Sequence, residues 1–125
     1  SIDNNWDIEI LEMHHRNKVD APSGTALALG KTASLARKEN FDKVSKLSRE
    51  GKVGERKKDE IGFATLRGGS VVGDHTVIFA HDDERIELTH KASNRKIYAN
   101  GAVKAAIWCA TQKKGLFSMS EVLEL

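Results

Sequence analysis

The 125-residue chain holds a single cysteine, Cys109, so no disulfide can form within it. That usage suits a reducing compartment, and a cytoplasmic protein is expected. Cys109 lies in the apolar stretch Ala105-Ala106-Ile107-Trp108-Cys109-Ala110 and reads as a small buried hydrophobe rather than a reactive thiol. No apolar run approaches the roughly 20 residues that a membrane helix needs, so no membrane partner is expected. Neither sign of charge dominates: 20 Lys and Arg against 18 Asp and Glu leave a formal charge of +2. This excludes the strong field of a dedicated nucleic-acid or membrane binder. Repeats and low-complexity segments are absent. The first residues, Ser1-Ile2-Asp3-Asn4-Asn5-Trp6, contain neither an initiator methionine nor the pattern of a signal peptide, and the chain is expected to begin within a longer protein. Its length suits one core and not two full domains.

What is present is an alternation of short strand and helix signals. Asp7 to Met13 alternates acidic with apolar at Ile8 and Ile10 and nearly to Met13, the period of a half-buried strand. A polar loop, His14 to Asp20, follows, and Pro22 cannot continue a strand. Ser23 is a good N-cap for an alanine-rich stretch, and the spacing of Ala26, Leu29, Ala33 and Ala36 predicts a helix from about Gly24 to Lys38. Glu39 to Glu60 is charged and glycine-punctuated, and reads as a long surface loop. Three strand-like runs, Ile61 to Arg67, Val71 to Ala80 and Arg85 to Ala92, suggest an antiparallel meander with Ile78 and Ala80 on one face and Phe79 on the other. Ala99 to Lys114 is expected to be helical and stopped by Gly115, and Ser118 to Glu121 spells a capping box before a terminal apolar turn. The expected fold class is α+β, a mixed and mainly antiparallel sheet with helices packed on one face.

Chemistry concentrates between the first strand and the first helix. His14-His15-Arg16-Asn17-Lys18 puts two imidazoles, a guanidinium and an ammonium just ahead of the helix start at Gly24 and Thr25, whose backbone N–H groups are free. Such a cluster suits a small anion, and a carboxylate more than a bulky phosphate ester. Lys18 or either histidine could donate a proton there. The same pattern is also that of surface histidines with an ordinary helix cap. No metal is expected, because adjacent histidines point to different faces and His75, His81 and His90 form no ligand spacing with them. Nucleic acid is not expected either: Glu50, Glu55, Asp59 and Glu60 neutralise the basic loop Arg49 to Lys58, and no aromatic platform accompanies it. Gly51-Lys52-Val53-Gly54 and Gly68-Gly69 match neither a dinucleotide fingerprint nor a phosphate loop.

The run His14-His15-Arg16-Asn17-Lys18-Val19-Asp20-Ala21-Pro22-Ser23-Gly24-Thr25-Ala26 closely resembles the signature of the 4-hydroxy-tetrahydrodipicolinate (dihydrodipicolinate) reductase family. Arg49-Glu50-Gly51, Gly54-Glu55-Arg56, Ile61-Gly62-Phe63-Ala64, Gly73-Asp74-His75-Thr76, Glu87 to Ala92 and Tyr98 to Ala102 resemble that family's later blocks, in order. The resemblance covers essentially the whole chain.

It implies an oxidoreductase of lysine and diaminopimelate biosynthesis that uses NADPH or NADH. Hydride adds to a conjugated imine and the resulting enamine is protonated on carbon. Carried over by position, His14 matches the catalytic proton donor or acceptor, Lys18 the proton donor, His15 a substrate contact, and Gly24 with Thr25 the pair that grips a substrate carboxylate. Arg95 and Tyr98 match positions that reach the nicotinamide cofactor, although Tyr98 stands where the family pattern can carry Phe. The implied ligand is a cyclic dicarboxylate and the implied assembly a homotetramer. The family's N-terminal dinucleotide-binding Rossmann domain has no counterpart here. Residues 1–95 would then be the substrate-binding and tetramerisation domain, and 96–125 a segment that returns to the missing domain. By itself the chain is expected to be inactive. The alternative is a non-catalytic homotetrameric assembly core whose active-site loop is disordered without its partner domain.

Overall fold

A computed structural model describes residues 2–125. The chain falls into two compact units, one running to Ser93 and the other from Asn94 to Leu125.

The first unit is built on a five-stranded sheet. Its strands are β1 (Asp7–His14), β2 (Ser45–Lys46), β3 (Ile61–Arg67), β4 (Gly73–Ala80) and β5 (Arg85–Ala92), in the spatial order β2-β3-β1-β4-β5. β1 runs parallel to β3 and antiparallel to β4, β2 is parallel to β3, and β4 and β5 form an antiparallel hairpin. Antiparallel pairs make up most of the register, as expected, but the meander does not form. β1 inserts between β3 and β4, because the helix α1 (Gly24–Ala36) lets the chain cross over and return parallel to β1. The chain between Glu39 and Glu60 is also less irregular than its composition implies. A one-turn helix α2 (Phe41–Val44), capped by the Asn40 side chain, leads into the edge strand β2.

Helix α1 starts where expected, with Ser23 Oγ accepting from the Ala26 amide. It ends at Ala36, and Lys38 takes a positive φ just beyond it. The helix packs on the sheet face formed by Ile8, Ile10, Ile61 and Phe63, and Ala26 is fully buried there. Val77 and Phe79 of β4 join this cluster. The inward face of β4 is thus the one carrying Val77 and Phe79, with Ile78 and Ala80 on the other: pairing Ile8 with Phe79 and Ile10 with Val77 across β1 fixes it. The α1 surface comes so close to the sheet that a Cβ at Gly30 would lie 2.5 Å from Phe63 Cζ.

On the opposite face, Glu9 receives both guanidinium nitrogens of the Arg49 side chain at 2.8 Å, and Arg56 Nε at 3.1 Å. Arg56 also reaches Asp7 at 2.6 Å and the Ile8 carbonyl at 3.1 Å. These two arginines fasten the loop after β2 to β1. Gly62, the β3 partner of Glu9, has no room for a side chain because the Glu9 carboxylate lies over it.

In the second unit, α3 (Lys96–Cys109) begins three residues before the expected start at Ala99, and it ends well before Gly115. Cys109 is exposed, contrary to the reading of a buried hydrophobe: it is the last residue of the helix, on a face that no other part of this unit covers. Trp108 packs edge-on against Phe117 with ring centroids 5.1 Å apart. Helix α4 (Met119–Leu123) has the expected capping box between Ser118 and Glu121, and Val122 is buried.

Candidate functional site

Along the helix-facing side of the sheet, the side chains change from apolar to polar toward the carboxyl ends of β1 and β3. Ile8 and Ile10 give way to Glu12 and His14 on β1, and Ile61 and Phe63 give way to Thr65 and Arg67 on β3. His75 of β4 stands opposite Glu12. Carboxyl ends of parallel strands beside a helix N-terminus are the usual ligand position in open α/β sheets.

Glu12 is the centre of this polar end and is only 1% exposed. Its Oε2 lies 2.6 Å from His14 Nδ1 and accepts from Arg67 Nη1 at 2.7 Å. Its Oε1 accepts from Arg67 Nη2 at 2.9 Å and from the Ser23 amide at 3.0 Å. Burial pushes the Glu12 carboxyl up, but the hydrogen bonds from Arg67, His14 and Ser23, with the Arg67 charge, outweigh it and hold the group below the ordinary carboxylate range. Glu12 is therefore an anion at neutral pH, and its carboxylate can only accept. The Ser23 hydroxyl, besides capping α1, lies 3.1 Å from His75 Nε2. His75 meets the His14 ring edge-on at 5.0 Å. Burial first, and the nearby His14 second, push the His75 imidazole down, which favours its neutral form.

The loop before the helix is drawn into the same network. Arg67 Nη2 donates to the Asp20 carbonyl at 2.7 Å, and the Asp20 carboxylate pairs with Lys18 Nζ at 2.6 Å. The Lys18 amide closes a turn on the His15 carbonyl, and the Arg16 amide bonds to Gly69 O. Pro22 follows a cis peptide bond and is buried.

His14, Lys18, Gly24 and Thr25 are thus tied to one framework through Glu12, Arg67, Asp20 and Ser23. His14 is nearly buried, His15 and Lys18 are half-buried, and Gly24 and Thr25 are exposed on the first turn of α1, where amides have no intrahelical acceptor. Arg95 and Tyr98 belong to the second unit, at the N-cap and in the first turn of α3, and Tyr98 is 52% exposed. Glu12 and Arg67 are not among the site residues expected from sequence, and His75 enters there as a rejected metal ligand and within the family block Gly73-Asp74-His75-Thr76. The available signal was the acidic residue on the inward phase of β1: Glu12 shares a period-two face with Ile8 and Ile10, a position at which a charge needs partners.

Among the described residues no group of histidine, cysteine and carboxylate side chains has metal-binding geometry. Gly51 and Gly54 adopt positive φ in the loop after β2, but a strand and not a helix follows that loop. These glycines are therefore not a dinucleotide turn. Among the described residues no helix is long and apolar enough to cross a membrane.

A basic loop and an open helix start meet at the ends of the parallel strands of this α+β domain, organised by a buried carboxylate. The chain belongs to the family described as dihydrodipicolinate reductase, C-terminus, which matches residues 1–123. It is 58% identical over 125 residues to the 4-hydroxy-tetrahydrodipicolinate reductase of Rhodopseudomonas palustris (strain BisA53), covering 100% of this chain and 46% of that protein. With the enzyme of the same name from Agrobacterium fabrum (strain C58 / ATCC 33970) it shares 57% identity over 121 residues, 97% of this chain and 44% of the relative. The chain thus spans somewhat under half the length of these relatives. In fold it is similar to the solved "Dipicolinate bound Dihydrodipicolinate reductase from Paenisporosarcina sp. TG-14", with a TM-score of 0.60 and 24% identity, covering 80% of this chain and 38% of that one.

Proposed function

We propose that this chain is the substrate-binding part of a reductase that converts 4-hydroxy-tetrahydrodipicolinate to tetrahydrodipicolinate with NADH or NADPH, in the formation of diaminopimelate and lysine. The observation that carries this reading is the site itself: Lys18 and the Gly24-Thr25 turn are anchored to one buried ion pair at the strand ends. A ring carrying two carboxylates suits that arrangement. One carboxylate takes the Gly24 and Thr25 amides with the Thr25 hydroxyl, and the ammonium of Lys18, released from Asp20, faces the ligand. His15 contacts the same ligand. Lys18 supplies the proton that the reduced ring needs on carbon, and His14 acts beside it as a proton donor or acceptor. Arg95 and Tyr98 meet the cofactor of the full-length protein without holding it. No turnover is expected from this chain alone.

A second reading concerns assembly. Away from α1, the sheet presents Leu11, Met13, Ala64, Leu66 and Ile78, with no helix of the first unit over them, and Leu66 is 48% exposed. An apolar sheet face of this kind favours pairing with a second copy, and a homotetramer follows if two such faces are used.

Calorimetric titration with pyridine-2,6-dicarboxylate, a flat mimic of the ring, tests the first reading. Binding is expected, weakened about tenfold or more by Lys18→Ala, the scale of a lost charge-assisted contact. Absence of binding, or binding indifferent to Lys18, contradicts it.

A further inference from the structure

Glu12 and His75 are buried ionisable groups for which the proposed chemistry has no direct use. Burial of an ion is costly unless it is fully paired, so the placement of Glu12 needs a reason. Besides a long contact from the Thr65 hydroxyl at 3.5 Å, four contacts converge on it, and three are obligate donors: two guanidinium N–H groups of Arg67 and the Ser23 amide. The fourth is His14 Nδ1 at 2.6 Å, which must then also donate. A neutral His14 ring is thereby fixed with its proton on Nδ1 and its lone pair on Nε2. The space beside Nε2 is kept free by Gly73, where a Cβ would lie 3.1 Å from that nitrogen.

We propose that Glu12 is a positioning residue, whose carboxylate sets the His14 tautomer so that Nε2 is the atom that exchanges a proton, and whose other oxygen holds the Ser23 backbone so that the following amides face the ligand. Arg67 completes the device by fixing the carboxylate and bonding to Asp20, the partner of Lys18. One buried carboxylate thus sets the alignment of the proton-carrying ring and the anion grip together. The inference rests on the reading of His14 and the helix start as parts of a dicarboxylate site. Around the His14 ring stand Glu12 on its own strand, Arg67 on β3 and His75 on β4, with Asp74 and His90 next to His75.

The test is ¹⁵N NMR of the histidine rings in this chain at about pH 8, above the ordinary histidine range. It is paired with pyridine-2,6-dicarboxylate titration of the wild type and of Glu12→Gln. The wild-type His14 ring is expected as the Nδ1–H tautomer. In Glu12→Gln it shifts toward the Nε2–H form that free imidazole rings favour, while His90 is unchanged. Ligand affinity falls about tenfold or more, the effect that loss of an orienting partner has at histidine ligands of metals. A wild-type His14 in the Nε2–H form overturns the proposal, and it does so even if Glu12→Gln fails to fold. A variant that keeps both tautomer and affinity overturns it as well. The expected tautomer shift with no dicarboxylate binding by either protein upholds the control of His14 by Glu12 and removes instead the ligand reading.

Discussion

Glu12 illustrates how one side chain can be costly and organising together. Replacing it with Ala strands the Arg67 guanidinium and the Ser23 amide, and because Glu12 is 1% exposed the loss is expected near about 3 kcal/mol. Urea denaturation measures this; a loss under about 0.5 kcal/mol, the size of a surface change, contradicts the picture. The same groups set a pH dependence. The Glu12 carboxyl titrates below its ordinary 4.5 and the His75 imidazole below its ordinary 6.5 in the folded chain. For both, the unfolded chain binds protons more readily, so their stability contribution is complete above these ordinary values and is lost as pH falls. The urea midpoint is therefore expected to drop from about pH 7 to pH 5 as His75 is forced to protonate, and further below about pH 4.5 as Glu12 does. In His75→Gln the first part of that drop should shrink; an unchanged profile would assign it to another group. At this scale the sequence was legible where residue type alone carries the local structure, as at the Ser23 cap. It was not legible where meaning depends on a partner distant in sequence: Arg67 acquires its role only when β3 pairs with β1 and brings it to Glu12 across 55 positions.

Elements were read well wherever the period was local. Both Ile61–Arg67 and Arg85–Ala92 have the strand bounds expected, and α1 starts at its cap. Their order in the sheet was not legible, since the insertion of β1 between β3 and β4 comes from the crossover through α1 and leaves no periodic trace. The same crossover makes the α1 contact with β3 tight at Gly30, where a Cβ would press on Phe63 and Phe41 at 2.5 and 3.0 Å. Gly30→Ala would gain helix propensity of roughly 1 kcal/mol, yet overpacking at this contact costs about 1–3 kcal/mol. Net destabilisation is expected, seen as a lower thermal midpoint; a midpoint above wild type would mean that the aromatic rings yield freely. The end of α3 was misjudged because Ala110 to Lys114 has no internal breaker, whereas the helix stops at Cys109 before the turn that brings Phe117 to Trp108.

For the whole molecule, binding and turnover are expected to separate. His14, Lys18, Gly24 and Thr25 lie in the unit that ends at Ser93, and the loop glycines Gly51 and Gly54 do not form a dinucleotide turn. NADPH oxidation in the presence of substrate is therefore expected to be absent with this chain, and detectable turnover would contradict that division. Assembly is independent of it: sedimentation is expected to give a species of four times the 13.8 kDa chain mass, and Leu66→Lys on the uncovered sheet face should reduce it to a smaller one. The central claim, a dicarboxylate site at the ends of β1 and β3, is tested most directly by amide NMR of the chain titrated with pyridine-2,6-dicarboxylate. The predicted result is saturating shifts at the Gly24, Thr25 and Lys18 amides, with the α3 amides unmoved. Shifts confined to α3, or none at saturating ligand, would contradict it.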